Sequence, residues 1–276
     1  MSNSQKVVLV TGCTTGGIGY HIANEFGKAG CKTYASSRRV ETMDYSHNPN
    51  VKTIALDVTS DESVNGVIKY ILDEEGKIDI VVCNAGLFHV APLIDHTIER
   101  TKALFDTNVY GLLRMAKAVL PHMASRKDGL IVSVGSVDGE IPTPFSGVYD
   151  SSKAAQHAMT EVLGMEARAL GVNVFLVSPG AVTTNIVDNS AKDFKLNPDS
   201  IYKPYEKKIV ERLHVSRSMP DTWKADRFGQ EVVKRALQKN PPWYWSGGGA
   251  AWKMKLLKMI PRTWALQIVW NALGAM

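Results

Sequence analysis

Short apolar runs rich in β-branched residues recur along the first two thirds of the chain, and apolar positions between them return at a helical spacing. A short apolar run bounded by turn residues reads as a strand buried on both faces. Lys6–Thr11, Cys31–Ser36, Val51–Leu56, Ile78–Cys83, Gly129–Val134 and Val172–Val177 fit that description. One helical pattern opens at Tyr20, and others cover Ser60–Glu75, Thr97–Leu120, Tyr149 to Ala169 and 226–239. Such alternation predicts an α/β domain with a doubly wound parallel sheet. Ligands of such sheets bind at the carboxyl ends of the strands. No repeat at a fixed period interrupts the pattern.

Composition agrees. A chain of 276 residues fits one large domain or two small ones, and with 45% hydrophobic and 21% charged residues an α/β domain of this size can bury a sizeable core. Charge adds an asymmetry. Residues 1–190 hold 16 Lys+Arg against 20 Asp+Glu, a net of −4, whereas residues 191–276 hold 16 against 7, a net of +9. The basic final third suits an anionic lipid surface, a phosphate-bearing substrate or simply a solvated face. No nucleic-acid-binding motif accompanies it. Cys13, Cys31 and Cys83 are scattered without a C-x-x-C pair, so neither a disulfide framework nor a metal site is expected, and a reducing, cytoplasmic setting fits. No secretory signal is visible, and no uncharged apolar run is long enough to cross a bilayer.

Candidate chemistry begins where the first strand ends. Thr11, Gly12, Gly16, Gly17, Ile18 and Gly19 lead into a helix. A glycine loop between strand and helix lets backbone N–H groups meet a pyrophosphate. At the end of the next strand an NAD site wants an acid for the ribose hydroxyls. Arg38 and Arg39 stand there instead, and a guanidinium pairs with a phosphate, which favours NADPH. Asp57-Val58 ends the third strand as an adenine contact, and Asn84-Ala85-Gly86 ends the fourth. Tyr149 and Lys153 stand four residues apart on a predicted helix, so they share a face. A cation there is expected to lower the phenol's pKa and make it a proton donor or acceptor near neutral pH. Asn108 carries a propensity cost inside its predicted helix, so a reason for it is sought.

These elements together resemble the short-chain dehydrogenase/reductase family over residues 6–184. They comprise the glycine loop, Asp57, Asn84-Ala85-Gly86, Asn108, Ser136, Tyr149-x-x-x-Lys153 and Pro179-Gly180-x-x-x-Thr184, and Ser136 lies thirteen residues before Tyr149. The resemblance implies a single Rossmann-type domain binding NADPH. It makes Tyr149 the proton donor in ketone reduction, and Ser136 the hydrogen-bond donor to the substrate oxygen. Lys153 would hold the nicotinamide ribose and depress the tyrosine pKa, and Asn108 would hold a water for proton resupply. Thr184 would contact the nicotinamide, with Pro179, Gly180 and Val182 shaping its pocket. A homodimer or homotetramer is also implied. A silent dinucleotide-binding scaffold would be expected to lose Tyr149, Lys153 or Ser136, and all three stand here. The glycine loop departs from the family's pattern by one extra residue among positions 13–16.

Residues 1–240 read as the catalytic domain, with 185–230 as a substrate lid. In the lid, Tyr202 and Tyr205 are candidates to line an apolar pocket, and Lys203, Lys207, Lys208, Arg212 and Arg217 to meet a phosphate. Residues 241–276 read as a separate tail with five of the six tryptophans, four basic residues and no acid. Trp252, Leu256, Met259 and Ile260 share one helical face, and Pro261 ends that helix. Trp with Lys and Arg on an amphipathic segment suits a membrane interface over 243–270. Packing over the pocket or against a second subunit fits equally. The Gly-Gly-Ile-Gly-Tyr loop, Ser216–Met219 and this tail resemble the fungal 1-acyldihydroxyacetone-phosphate reductase branch, implying a lipid-linked ketone at endoplasmic reticulum or lipid-droplet surfaces. A secondary-metabolite or steroid-like ketone is the alternative substrate.

Overall fold

In the computed structural model, which describes residues 5–184 and 194–274, the apolar runs become β1 (Val7–Thr11), β2 (Lys32–Ser37), β3 (Val51–Ala55), β4 (Ile80–Cys83), β5 (Leu130–Val134) and β6 (Asn173–Pro179). They pair in parallel in the order β3-β2-β1-β4-β5-β6. A short parallel pair, β7 (Val182–Thr183) and β8 (Trp223–Lys224), lies apart from them. A seventh strand, β9 (Tyr244–Gly247), extends the sheet beyond β6, with Val177 opposite Trp245. The sequence pattern assigns that stretch to a separate tail. Its aromatic run is brief and closed in by proline and glycine, so its strand character appears only once β6 offers a free edge.

Helices cover both faces: α1 (Ile18–Lys28), α2 (Asp61–Glu75), α3 (Ile98–Phe105), α4 (Gly111–Arg126), α5 (Gly147–Arg168), α6 (Glu206–Ser218), α7 (Ala225–Ala236), α8 (Ala251–Leu257) and α9 (Arg262–Leu273). Successive strand residues point to opposite faces. Val8 and Val10 thus join Ile22 and Phe26 of α1 and Phe228 and Val232 of α7 in one core. Leu9 joins Ile68 and Ile71 of α2 and Met115 and Val119 of α4 in the other. Each fully buried side chain of this kind contributes about 1.5–3 kcal/mol. The lid's first residues, 185–193, lie outside the described residues.

The helix expected over Thr97–Leu120 is longer and broken. Asp106–Tyr110 forms a π-helical turn between α3 and α4, and α4 continues through Pro121 to Arg126. Pro121 removes one N–H, but Val119 and Met123 on either side are fully buried and hold the helix together. The π turn is the reason sought for Asn108. Its Nδ2 donates to Leu87 O and Ser152 Oγ (both 3.0 Å), and its Oδ1 accepts from Leu87 N (2.7 Å). The bulge delivers an amide that fastens the chain after β4 to α5. Such bulges recur at functional sites.

Candidate active site

At the carboxyl ends of β1 to β4 lies a cleft of about 330 Å³ lined by Gly12, Thr14, Gly17, Ile18, Arg38, Arg39, Asp57, Val58, Asn84, Ala85 and Gly86. Two glycines shape it. Gly12 has φ +72°, and a Cβ there would stand 2.7 Å from Ala85 Cα. A Cβ at Gly19 would stand 2.3 Å from Asn84 Nδ2. That amide donates to Thr11 O (2.9 Å) and Gly12 O (3.1 Å), locking the loop onto the end of β4. Thr11 completes the lock: its Oγ1 donates to Val82 O and accepts from Asn84 N and Ala85 N. Thr11 is therefore buried and, like Gly19, outside the cleft lining; both shape the loop from behind. The extra loop residue is absorbed by Cys13, buried with its N–H on Ser36 O, and by Thr15 N, which donates to Thr42 O. Thr14 and Thr42 are cleft residues that the sequence reading did not name.

A second pocket of about 150 Å³ adjoins the cleft and shares Ile18, Asn84, Gly86, Leu87 and Thr184 with it. Ser136, Tyr149, Lys153, Pro179, Gly180 and Val182 all line it. Ser136 follows β5, and its N–H donates to His157 Nε2 (3.1 Å). Its Oγ accepts from Asp138 N (3.1 Å), which leaves the hydroxyl proton for another acceptor. Lys153 lies on α5, one turn past Tyr149, with Nζ 5.9 Å from the tyrosine ring centre. That ammonium donates to Val134 O (3.0 Å) and Gln156 Oε1 (2.8 Å). Asn108 lies outside the lining, but a Cβ on Gly86 would stand 3.3 Å from its Oδ1 and 3.7 Å from Lys153 Nζ. Asn108 and Lys153 converge beneath Gly86.

Burial dominates the protonation equilibria. It pushes the Tyr149 phenol above its ordinary value, and the Asp138 carboxylate pushes the same way. Ser136 and Arg212 pull it down by less. Lys153 is itself lowered to about 7 by burial, so holding its charge in the fold is costly. The His157 imidazole, lowered to about 4 by burial, stays neutral and able to accept the Ser136 amide.

A family model, short chain dehydrogenase, matches residues 6–195. The chain belongs to the short-chain dehydrogenase/reductase family. A short-chain dehydrogenase of Pyricularia oryzae, RED1, is 30% identical over 94% of this chain and 91% of its own. The NADPH-dependent 1-acyldihydroxyacetone phosphate reductase of Schizosaccharomyces pombe is 36% identical over 75% of this chain and 71% of its own. The crystal structure of a short-chain dehydrogenase from Streptomyces avermitilis superposes with a TM-score of 0.82, at 26% identity, covering 99% of this chain and 98% of that one.

In this short-chain dehydrogenase the residues present fit NADP(H). Gly12, Gly17 and Ile18 leave a cradle at the α1 N-terminus, and Arg38 and Arg39 line the rim at the end of β2. Asp57 is held ionised there: burial opposes its charge, but the Thr59 hydroxyl and amide outweigh burial, with Arg38 adding to them. The tail turns out to buttress the pocket from outside. Gly180 N donates to Gly247 O (2.8 Å), and a Cβ on Gly180 would stand 2.2 Å from Gly249 O. Glu140, four residues after Ser136, accepts from Ser178 Oγ (2.6 Å) and Tyr244 OH (2.7 Å) and pairs with Lys258 (2.8 Å). Lys258 is thus a clamp on the serine-bearing turn rather than a free base of the tail.

The lid also departs from expectation. Tyr202 and Tyr205 pack with Phe145, Ile209 and Leu213 and do not line the pocket; Arg212, Leu213 and Ser216 do. Lys203 and Lys208 pair outward with Glu206 and Glu211, Lys207 is exposed, and Arg217 donates to Thr184 O. Phe88, edge-on to Tyr149 at 4.8 Å between ring centres, and Asp138 are pocket residues the sequence reading missed. Position carried no signal for Phe88; Asp138 stood two residues past Ser136.

Proposed function

We propose that this enzyme is an NADPH-dependent carbonyl reductase acting on an apolar, acyl-bearing ketone. The observation that carries the reading is the joining of two spaces. The cleft rimmed by Arg38 and Arg39 runs into the pocket where Tyr149, Ser136 and Lys153 meet. NADPH, when bound, supplies the hydride. Tyr149 holds a proton at neutral pH because burial raises its pKa, so it is set to donate to a substrate oxygen. Ser136, whose hydroxyl proton the Asp138 amide does not use, turns it to the same oxygen and steadies the charge developing there. In this reading Lys153 returns the proton to Tyr149, with resupply past Asn108. Leu87, Phe88, Val182 and Leu213 supply the apolar walls. The ketone of 1-acyldihydroxyacetone phosphate is one substrate of this kind, supported by the relative from Schizosaccharomyces pombe.

The test is oxidation of NADPH against NADH over a panel of apolar ketones. We expect turnover with NADPH. The double variant Arg38→Ala/Arg39→Ala should lose about 10- to 100-fold in kcat/KM for NADPH, the size of a lost charge-assisted contact, with little change for NADH. Equal losses with both cofactors would sink the phosphate assignment.

Attachment to a lipid surface, such as endoplasmic reticulum or lipid droplet, extends the reading. Trp252, Leu256, Met259, Trp264 and Ile268 expose apolar side chains among Lys253, Lys255 and Arg262. Since β9 and Lys258 belong to the catalytic fold, truncation would damage it; Trp252→Ser/Met259→Ser/Trp264→Ser spares both. The wild type should float with anionic liposomes and the triple variant should not; equal flotation would end the idea. Self-association through α4 and α5, which expose Leu113, Val162 and Met165, is the corresponding reading for the oligomer, and a monomer mass by light scattering would rule it out.

A further inference from the structure

The basic residues of the lid divide sharply. Lys203, Lys207 and Lys208 face solvent or surface acids, whereas Arg212, on α6 with the last two, is only 6% exposed and lines the catalytic pocket. Its Nη2 donates to Asp138 Oδ2 (2.9 Å) and Thr143 Oγ1 (2.7 Å). Thr143 is in turn fixed by Asp150, whose Oδ2 accepts from Thr143 N (2.7 Å). One edge of the guanidinium is therefore braced. The Nε–H is buried and has no partner among the described residues. A buried donor left without a partner is costly, and a cationic one more so. The guanidinium carbon lies 6.0 Å from the ring centre of Phe88, the residue that flanks Tyr149.

We infer that the part of the Arg212 guanidinium that Asp138 and Thr143 leave free binds a second oxygen of the substrate, an uncharged acceptor a few bonds from the carbonyl that Tyr149 protonates. The inference rests on the reductase reading and narrows it. Charge decides between acceptor types. Asp138 already neutralises the guanidinium, so a phosphate at this edge would meet a carboxylate as well as a cation. A carbonyl or ester oxygen needs one hydrogen bond and no net charge, which is what the braced group has left. The enzyme therefore selects ketones with an oxygen-bearing neighbour, such as β-keto esters, over plain ketones of the same shape.

The experiment uses the full chain with NADPH and a matched pair: a β-keto ester, and the ketone with methylenes in place of the ester oxygens. The readout is the ratio of the two kcat/KM values. Arg212→Gln should reduce that ratio about 10- to 100-fold, the cost of one hydrogen bond to a charged donor. Arg212→Lys keeps a cation beside Asp138 and should also reduce it; that variant carries the test should Arg212→Gln fail to fold. Loss by the same factor on both ketones would overturn the inference and leave Arg212 as a brace of the lid. Turnover of the plain ketone by the wild type keeps the reductase reading intact in that case.

Discussion

Tyr149→Phe is expected to lower kcat by about 10²- to 10⁴-fold, the usual contribution of a positioned general acid, while NADPH still binds. The change removes one oxygen from a ring packed edge-on against Phe88, so the pocket keeps its shape. Ser136 keeps its support, because the His157 ring holds its amide and Asp138 N holds its Oγ. The cofactor cleft is untouched, since Tyr149 lines only the second pocket. NADPH oxidation with an active ketone gives the rate, and cofactor fluorescence gives the binding. Near-native turnover would remove Tyr149 from proton transfer. Lost binding together with lost turnover would show instead that the side chain holds the cleft open.

Lys153 is expected to reveal itself in the pH dependence of stability. Burial lowers its pKa from an ordinary 10.5 to about 7 in the fold. Between those values the folded amine is neutral and the unfolded one is protonated. The unfolded state then binds more protons, so stability rises with pH across the window. One such proton adds up to about 1.4 kcal/mol per pH unit, and the cost is borne in full below the folded value. Denaturant titrations of the cofactor-free protein from neutral pH upward should show this slope. Lys153→Met should flatten it and abolish turnover. Wild type and variant rising in parallel would mean that the amine is charged in the fold, compensated by Val134 O and Gln156 Oε1.

Much of the architecture was legible because its signals are local. A short run rich in β-branched residues and closed by a turn, such as Val7-Val8-Leu9-Val10, reads as a strand buried on both faces, and the glycine loop that follows it marks the start of a helix. The spacing of Tyr149 and Lys153 puts them on one face of α5 whatever surrounds the helix. Arg38 and Arg39 followed from the position of a strand end. Other features had no local signal. The π turn that places Asn108 is one extra residue in an otherwise helical pattern, and β9 exists because β6 presents an edge. The environment of Tyr149 depends on Asp138 and Arg212, the latter brought from another helix.

Sequence alone thus determined the alternation of strands and helices, the family and the set of groups proposed to carry the proton. Each of these rests on residues close together in the chain, where periodicity and spacing fix geometry. The tertiary structure decided the protonation of those groups, because desolvation is a property of everything packed around a side chain. It also decided that the Trp-rich tail joins the sheet and clamps the serine-bearing turn through Glu140. Likewise, among the pocket-lining residues of the lid it is Arg212 that turns a cation inward. These contacts join residues far apart in the chain, and only the packed fold brings them together.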